Sequence, residues 1–185
     1  MIRASISFCF QLVGTILEMA LTEPELRKIS IPIFFDMMQF EYFSNRGGEV
    51  GDVGKQNFDS FKVEVIELLD SYIVDHRMGD DEFKDKFVEE MTGLCEAHTS
   101  LRHSGMEFVE LVDTLMTYLL EYRSFLSDHS SEGNTSQMMC ICNLLDFYLN
   151  ALPDQEEVYV KYILKLYTLH VDMQNHAEAG YTLLR

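Results

Sequence analysis

The chain has 185 residues, 47% of them apolar and 24% charged, and 14 Lys and Arg against 31 Asp and Glu leave a formal charge of −17. That length can bury about 70% of its unfolded surface as one compact domain or as a piece of a larger array. Ten Gly and three Pro among so many apolar residues exclude a disordered or collagen-like chain, and a surface this negative argues against binding nucleic acid or anionic lipid.

Every long apolar pattern repeats at about 3.6 residues and none alternates in twos, so the expected class is all-α. A first helix is predicted over Ser5–Leu21, on Ile6, Phe10, Val13, Leu17 and Ala20. Its apolar run after Arg3 mimics a signal peptide, but Gln11, Glu18 and the helical spacing speak for a packed helix and against a signal or a membrane span. Thr22 with Glu25, around Pro24, reads as a capping box opening a second helix, which Pro32 is expected to kink or split. Beyond Pro32, only Asp36, Gln39 and Glu41 interrupt an apolar segment that should be wrapped on most sides. Gly47, Gly48, Gly51 and Gly54 mark a flexible linker over residues 45–56.

Helices then resume. Phe58, Phe61, Val65, Leu69 and Tyr72 form one stripe, and Phe83, Phe87, Met91, Leu94, His98 and Leu101 the next, after a turn at residues 79–81. Ser104 with Glu107 reads as a second capping box, opening a helix on Phe108, Val112, Leu115 and Leu119 that runs to about Leu126. A polar loop over Ser127–Ser136 precedes a helix on Met138, Ile141, Leu145, Tyr148 and Leu152, and Pro153-Asp154 starts the one after it. In the segment Val158–Met173, the polar residues Lys161, Lys165, Thr168 and Asp172 share one narrow stripe. The rest of that helix should be covered, as in the middle of a stack. Asn175 caps a last helix, His176–Leu184, with no Gly or Pro stop behind it. These patterns predict an α-solenoid of stacked antiparallel helices, armadillo- or tetratricopeptide-like, cut from a longer array.

The motifs of common chemistry fail on their spacing. A phosphate loop ending at Gly54-Lys55 would need Gly in place of Glu49 and Ser or Thr in place of Gln56. No two of the six histidines stand at the i, i+4 spacing of a helical metal site, and His98 and His170 read as core histidines. Asp80, Asp81 and Glu82 suit a helix N-terminus and lack the ligand order of a calcium loop. Cys9, Cys95, Cys140 and Cys142 read as buried reduced thiols of a cytoplasmic protein, and the sequon at Asn134 has the form of a glycosylation site only. The Met37-Met38 and Met138-Met139 pairs read as core filling. No catalytic, cofactor-binding or metal residue is expected.

Four blocks carry a resemblance. They are Leu26-Arg-Lys-Ile-Ser-Ile-Pro-Ile-Phe-Phe-Asp-Met-Met-Gln39, then Phe108-Val109 through Leu119-Leu-Glu-Tyr-Arg123, then Asn143-Leu-Leu-Asp-Phe-Tyr148. The fourth is Tyr159-Val-Lys-Tyr-Ile-Leu-Lys-Leu-Tyr-Thr-Leu-His170 with Asn175-His-Ala-Glu-Ala-Gly-Tyr-Thr-Leu-Leu184. In order and spacing these resemble the dedicator-of-cytokinesis (DOCK) exchange factors, with His176-Ala177, Gly180 and the glycine-rich linker departing from the family pattern. The resemblance implies a helical armadillo-like segment over residues 1–135 and the start of the first lobe of a DOCKER domain over residues 136–185. It implies a parent protein that exchanges guanine nucleotide on Rho-family GTPases, the first block favouring the Rac type, in signalling to the actin cytoskeleton. The GTPase would be met through lobes beyond this chain. An ELMO-type scaffold and homodimerisation would belong to the full-length protein, with no nucleic acid and no membrane insertion. This segment would be a noncatalytic support; the alternative is a free-standing helical adaptor that binds a protein partner.

Overall fold

The computed structural model describes residues 2–44, 53–152 and 156–184, with side chains over 12–44, 59–152 and 156–184. Among them every regular element is helical: α1 (Ile2–Thr22), α2 (Arg27–Ser44), α3 (Val53–Asp70), α4 (Asp81–Ala97), α5 (Arg102–Phe125), α6 (Ser131–Ala151), α7 (Glu156–Asp172) and α8 (His176–Thr182). The chain divides into two compact units, residues 1–116 and 117–185, and α5 runs through the division. The boundary expected after residue 135 rests on the family resemblance, a different criterion.

In the first unit α1 packs on α2 and α3, and α2 packs on α3 and α4. The apolar stripes read from the sequence are the ones that meet. Val13 and Leu17 of α1, Phe34, Phe35 and Met38 of α2, Phe61, Val65 and Leu69 of α3, Phe83, Phe87 and Met91 of α4, and Phe108, Val112 and Leu115 of α5 are all buried. Phe34 stands at the middle, its ring centroid 5.8 Å from Phe61, 5.4 Å from Phe87 and 6.3 Å from Phe108.

One buried cation ties three elements together. Arg27, 3% exposed, donates from Nε to the Ala20 carbonyl at 3.2 Å, near the end of α1, and from Nη2 to Asp80 Oδ1 at 3.2 Å. Its Nη1 lies 3.6 Å from Glu82, and its guanidinium rests 5.6 Å from the Phe83 ring centroid. Asp80 is at the same time the N-cap of α4, its Oδ1 accepting the Phe83 amide at 2.6 Å. Gly79, immediately before it, has φ +74°, a conformation that an L side chain adopts only with strain. A Cβ there would also stand 2.6 Å from Leu21 Cδ2.

In the second unit α7 packs on α6 and α8. Ile141, Leu145, Tyr148 and Leu152 of α6 are buried as the sequence pattern required, together with Cys140 and Leu144, and Tyr162, Ile163 and Leu166 of α7 meet them. α7 closes with Gln174 at φ 62°, where the Asn175 amide reaches the His170 carbonyl at 2.8 Å and the Gln174 amide reaches Val171 at 2.9 Å. This is a Schellman closure made without glycine.

Several expected helix ends differ. Thr22 is the last residue of α1, its hydroxyl donating to the Glu18 carbonyl at 2.9 Å. A 3₁₀ turn, Pro24–Leu26, follows with Glu23 before it and no side-chain cap, so Pro24 does stand first in its turn while the capping box does not form. α2 continues through Pro32, whose missing amide bond and ring clash with the Lys28 carbonyl are offset by the buried residues of the turns on both sides, Arg27, Ser30 and Ile31 before it and Phe34 and Phe35 after it. The Ser104–Glu107 box is also absent: α5 starts at Arg102, Gly105 donates to the Leu101 carbonyl at 2.7 Å, and Ser104 lies within the first turn.

α6 begins at Ser131, behind an N-cap in which Ser130 Oγ accepts the Gly133 amide at 2.9 Å, so the polar loop is shorter than expected and the Asn134 sequon is helical. Asn175 holds the N-cap position of α8 through its carbonyl alone, and α8 ends at Thr182. Of the linker, residues 45–52 lie outside the described residues, while Gly54 and Lys55 belong to α3; Pro153-Asp154 also lies outside them. The wider turn Ser71–Asp75 that prolongs α3 has no signal in the sequence.

Candidate functional site

Two buried thiols are held in an unreactive state. Cys95 and Cys140 are buried and free, and burial pushes both thiols up from the ordinary 9.0 to about 11, with Glu121 adding to the effect at Cys140. At neutral pH they are protonated, which makes them poor nucleophiles and poor metal ligands. Cys142 is half-buried, and the side chain of Cys9 lies outside the described residues. Alkylation of Cys95 and Cys140 by iodoacetamide at pH 8 is expected to be about 100-fold slower in the folded chain than in urea, from the thiolate fraction alone. Peptide mass spectrometry reads each thiol separately; equal folded and unfolded rates would disprove the burial argument. Because both folded values are raised, the stability these thiols contribute is full below pH 9 and is lost between about pH 9 and 11.

His98, read as a core histidine, is half-buried against the Phe35 ring with its Nδ1 3.2 Å from Gln39 Nε2. His170 is half-buried in the last turn of α7, its Nδ1 shielded and without a hydrogen-bond partner among the described residues. Asp80, Asp81 and Glu82 do lie at the start of α4, on the positive end of its dipole. The outer face of α4 is solvated charge, with Lys86 3.0 Å from Glu90 and 3.3 Å from Glu89. Among the described residues no three of His, Cys, Asp and Glu come together as a metal site.

What the second unit presents is a surface. Tyr162 stacks on Tyr148 with centroids 5.4 Å apart and meets Tyr122 edge-on at 5.9 Å. Lys165 Nζ lies 5.6 Å from the Tyr122 centroid and 5.7 Å from that of Tyr162, and Lys161 lies 5.7 Å from Tyr162. This roof of two ammonium groups over the rings of Tyr122 and Tyr162 holds one side of α7. The other side is open. Val160, Leu164 and Val171 are exposed, at 47%, 51% and 36%, with Tyr167 half-buried between them; these positions stand four, three and four apart on one face. α8 adds Tyr181, and the residues just past its end add Leu183 and Leu184, all exposed.

The expectation that α7 is covered on most of its circumference is therefore corrected within this chain: α6, α8 and Tyr122 of α5 cover only the Tyr162–Leu166 side. The sequence carried the signal, an apolar circumference broader than two neighbours can hide, but could not say which part stays open.

Residues 2–90 match the family model described as "Dedicator of cytokinesis (DOCK) TPR region". The chain is 37% identical over 174 residues to human Dedicator of cytokinesis protein 4, a match that covers 94% of this chain and 8% of that protein. It is 33% identical over 189 residues to human Dedicator of cytokinesis protein 3, across 97% of this chain and 9% of the relative. The chain is a homologue of these proteins along nearly its whole length and spans less than a tenth of theirs. A TPR region is a stack of helical pairs, and an all-α solenoid is the fold class expected from the periodicity.

Proposed function

We propose that this chain is a noncatalytic helical support within a DOCK-type guanine-nucleotide exchange factor for Rho-family GTPases, of the Rac type, acting in the cytoplasm upstream of the actin cytoskeleton. The observation that carries the reading is the likeness to DOCK proteins over 94–97% of the chain, joined to a TPR-region match over residues 2–90. Residues 136–185 are read as the start of a DOCKER domain on the blocks Asn143–Tyr148, Tyr159–His170 and Asn175–Leu184. The open stripes of α7 and α8 support this reading, because further helices of a longer solenoid would bury them. GTPase binding, an ELMO-type scaffold and homodimerisation are assigned to the longer protein.

The test is release of a fluorescent GDP analogue from a panel of Rho-family GTPases, with the 185-residue chain and the full-length gene product side by side. The full-length protein is expected to accelerate release from Rac, and the chain alone to leave the intrinsic rate unchanged. Acceleration by the chain alone would overturn the support role. Acceleration confined to another GTPase of the panel would overturn the Rac assignment and leave the class standing.

A further inference from the structure

The segment Ile33–Phe43 is expected to be wrapped on most sides, and in the structure one line along it stays exposed. α2 buries Ile31, Phe34, Phe35 and Met38 against α1, α3 and α4 and keeps a line of exposed side chains on its opposite side. Ile29 is 61% exposed and Phe40 63%, with Ile33 and Phe43 also exposed. With the exposed Asp36 these positions stand four, three, four and three apart, one straight line down the helix. Asp36 is thus a carboxylate in the middle of an apolar stripe, and among the described residues no hydrogen bond or ion pair engages it. On the flank of the stripe Pro32 has no amide hydrogen, so the Lys28 carbonyl lacks its i+4 donor.

We infer that this outer stripe of α2 is a docking site for an amphipathic helix of a separate protein, one whose apolar positions bracket a Lys or Arg that reaches Asp36. Charge complementarity selects this occupant. A two-fold pairing of the stripe with a second copy would set Asp36 near Asp36, between chains that each carry −17. A cationic helix instead neutralises Asp36 as it covers Ile33 and Phe40, and the negative chain as a whole draws it in. The site is independent of the exchange-factor reading, since it rests on α2 and its packed neighbours alone.

The probe is a fluorescein-labelled synthetic helix that repeats the stripe's spacing with leucines and places one arginine opposite Asp36, titrated with the 185-residue chain and with the full-length gene product. Anisotropy is expected to report saturable binding to both. Asp36→Lys should weaken it about tenfold, and a probe with glutamate in place of arginine should recover that loss on the Asp36→Lys chain. Phe40→Asp should abolish binding, with melting of the variants unchanged because both side chains are exposed. Replacing the arginine by glutamate against the wild-type chain tests the charge requirement without any substitution in the protein. A scrambled probe binding equally well would overturn the site, as would indifference to Asp36→Lys. Binding by the short chain but not by the full-length protein would show the stripe covered by the protein's own helices. A sedimenting dimer lost in Phe40→Asp would assign the stripe to a second copy. Either of these last two results overturns the proposal.

Discussion

Replacing Phe34 by alanine is expected to destabilise the first unit by about 4 kcal/mol, within the range for a buried aromatic residue. The ring is 1% exposed and touches rings from three other helices, Phe61 of α3, Phe87 of α4 and Phe108 of α5. Deleting it removes the apolar transfer term and leaves a hole whose walls are themselves fixed, because Phe61 and Phe108 lean on each other at 5.9 Å and Phe83 on Phe87 at 5.6 Å. Walls that support one another collapse poorly, so the cavity persists. Phe34→Leu should recover about half of the loss, since it keeps the fill and forfeits the ring contacts. Urea unfolding followed by circular dichroism measures both; a midpoint unchanged in Phe34→Ala would show that this cluster does not hold the unit.

Arg27→Ala should cost about 3 kcal/mol, by a different mechanism. The side chain is buried to within 3% of its reference surface and serves the end of α1, the cap of α4 and the Phe83 ring together. Removing it leaves the Ala20 carbonyl without its side-chain donor and empties the space over Phe83. Asp80 itself loses little, for its side chain is 55% exposed and keeps the Phe83 amide. Asp80→Asn is accordingly expected to cost under about 1 kcal/mol, because an asparagine still caps the helix. Arg27→Met separates volume from charge: it refills the space, and recovery of most of the stability would show that packing outweighs the ion pair. Chemical denaturation of the three variants checks the ranking, and Asp80→Asn costing as much as Arg27→Ala would contradict it.

The amino-acid sequence by itself determined the helical class and most of the inward faces. Phe61, Val65 and Leu69, or Ile141, Leu145 and Tyr148, lie on one side of any helix they form, and the only state that hides such a stripe from water is one packed on another like it. The likeness to DOCK proteins was equally a property of the sequence.

Helix ends were settled less well, since Thr22 and Ser104 sit in patterns that suit a cap and are equally content within a helix, Ser104 in the first turn of α5 and Thr22 as the last residue of α1 with its hydroxyl returned to the carbonyl four residues back. The Arg27–Asp80 link joins residues 53 apart, and no local pattern distinguishes a cation that will be buried from one that stays in water. The open sides of α2 and α7 were likewise beyond the sequence. Periodicity states how much of a helix wants cover, whereas the number and placement of its neighbours decide how much is covered, and that is a property of the folded chain alone.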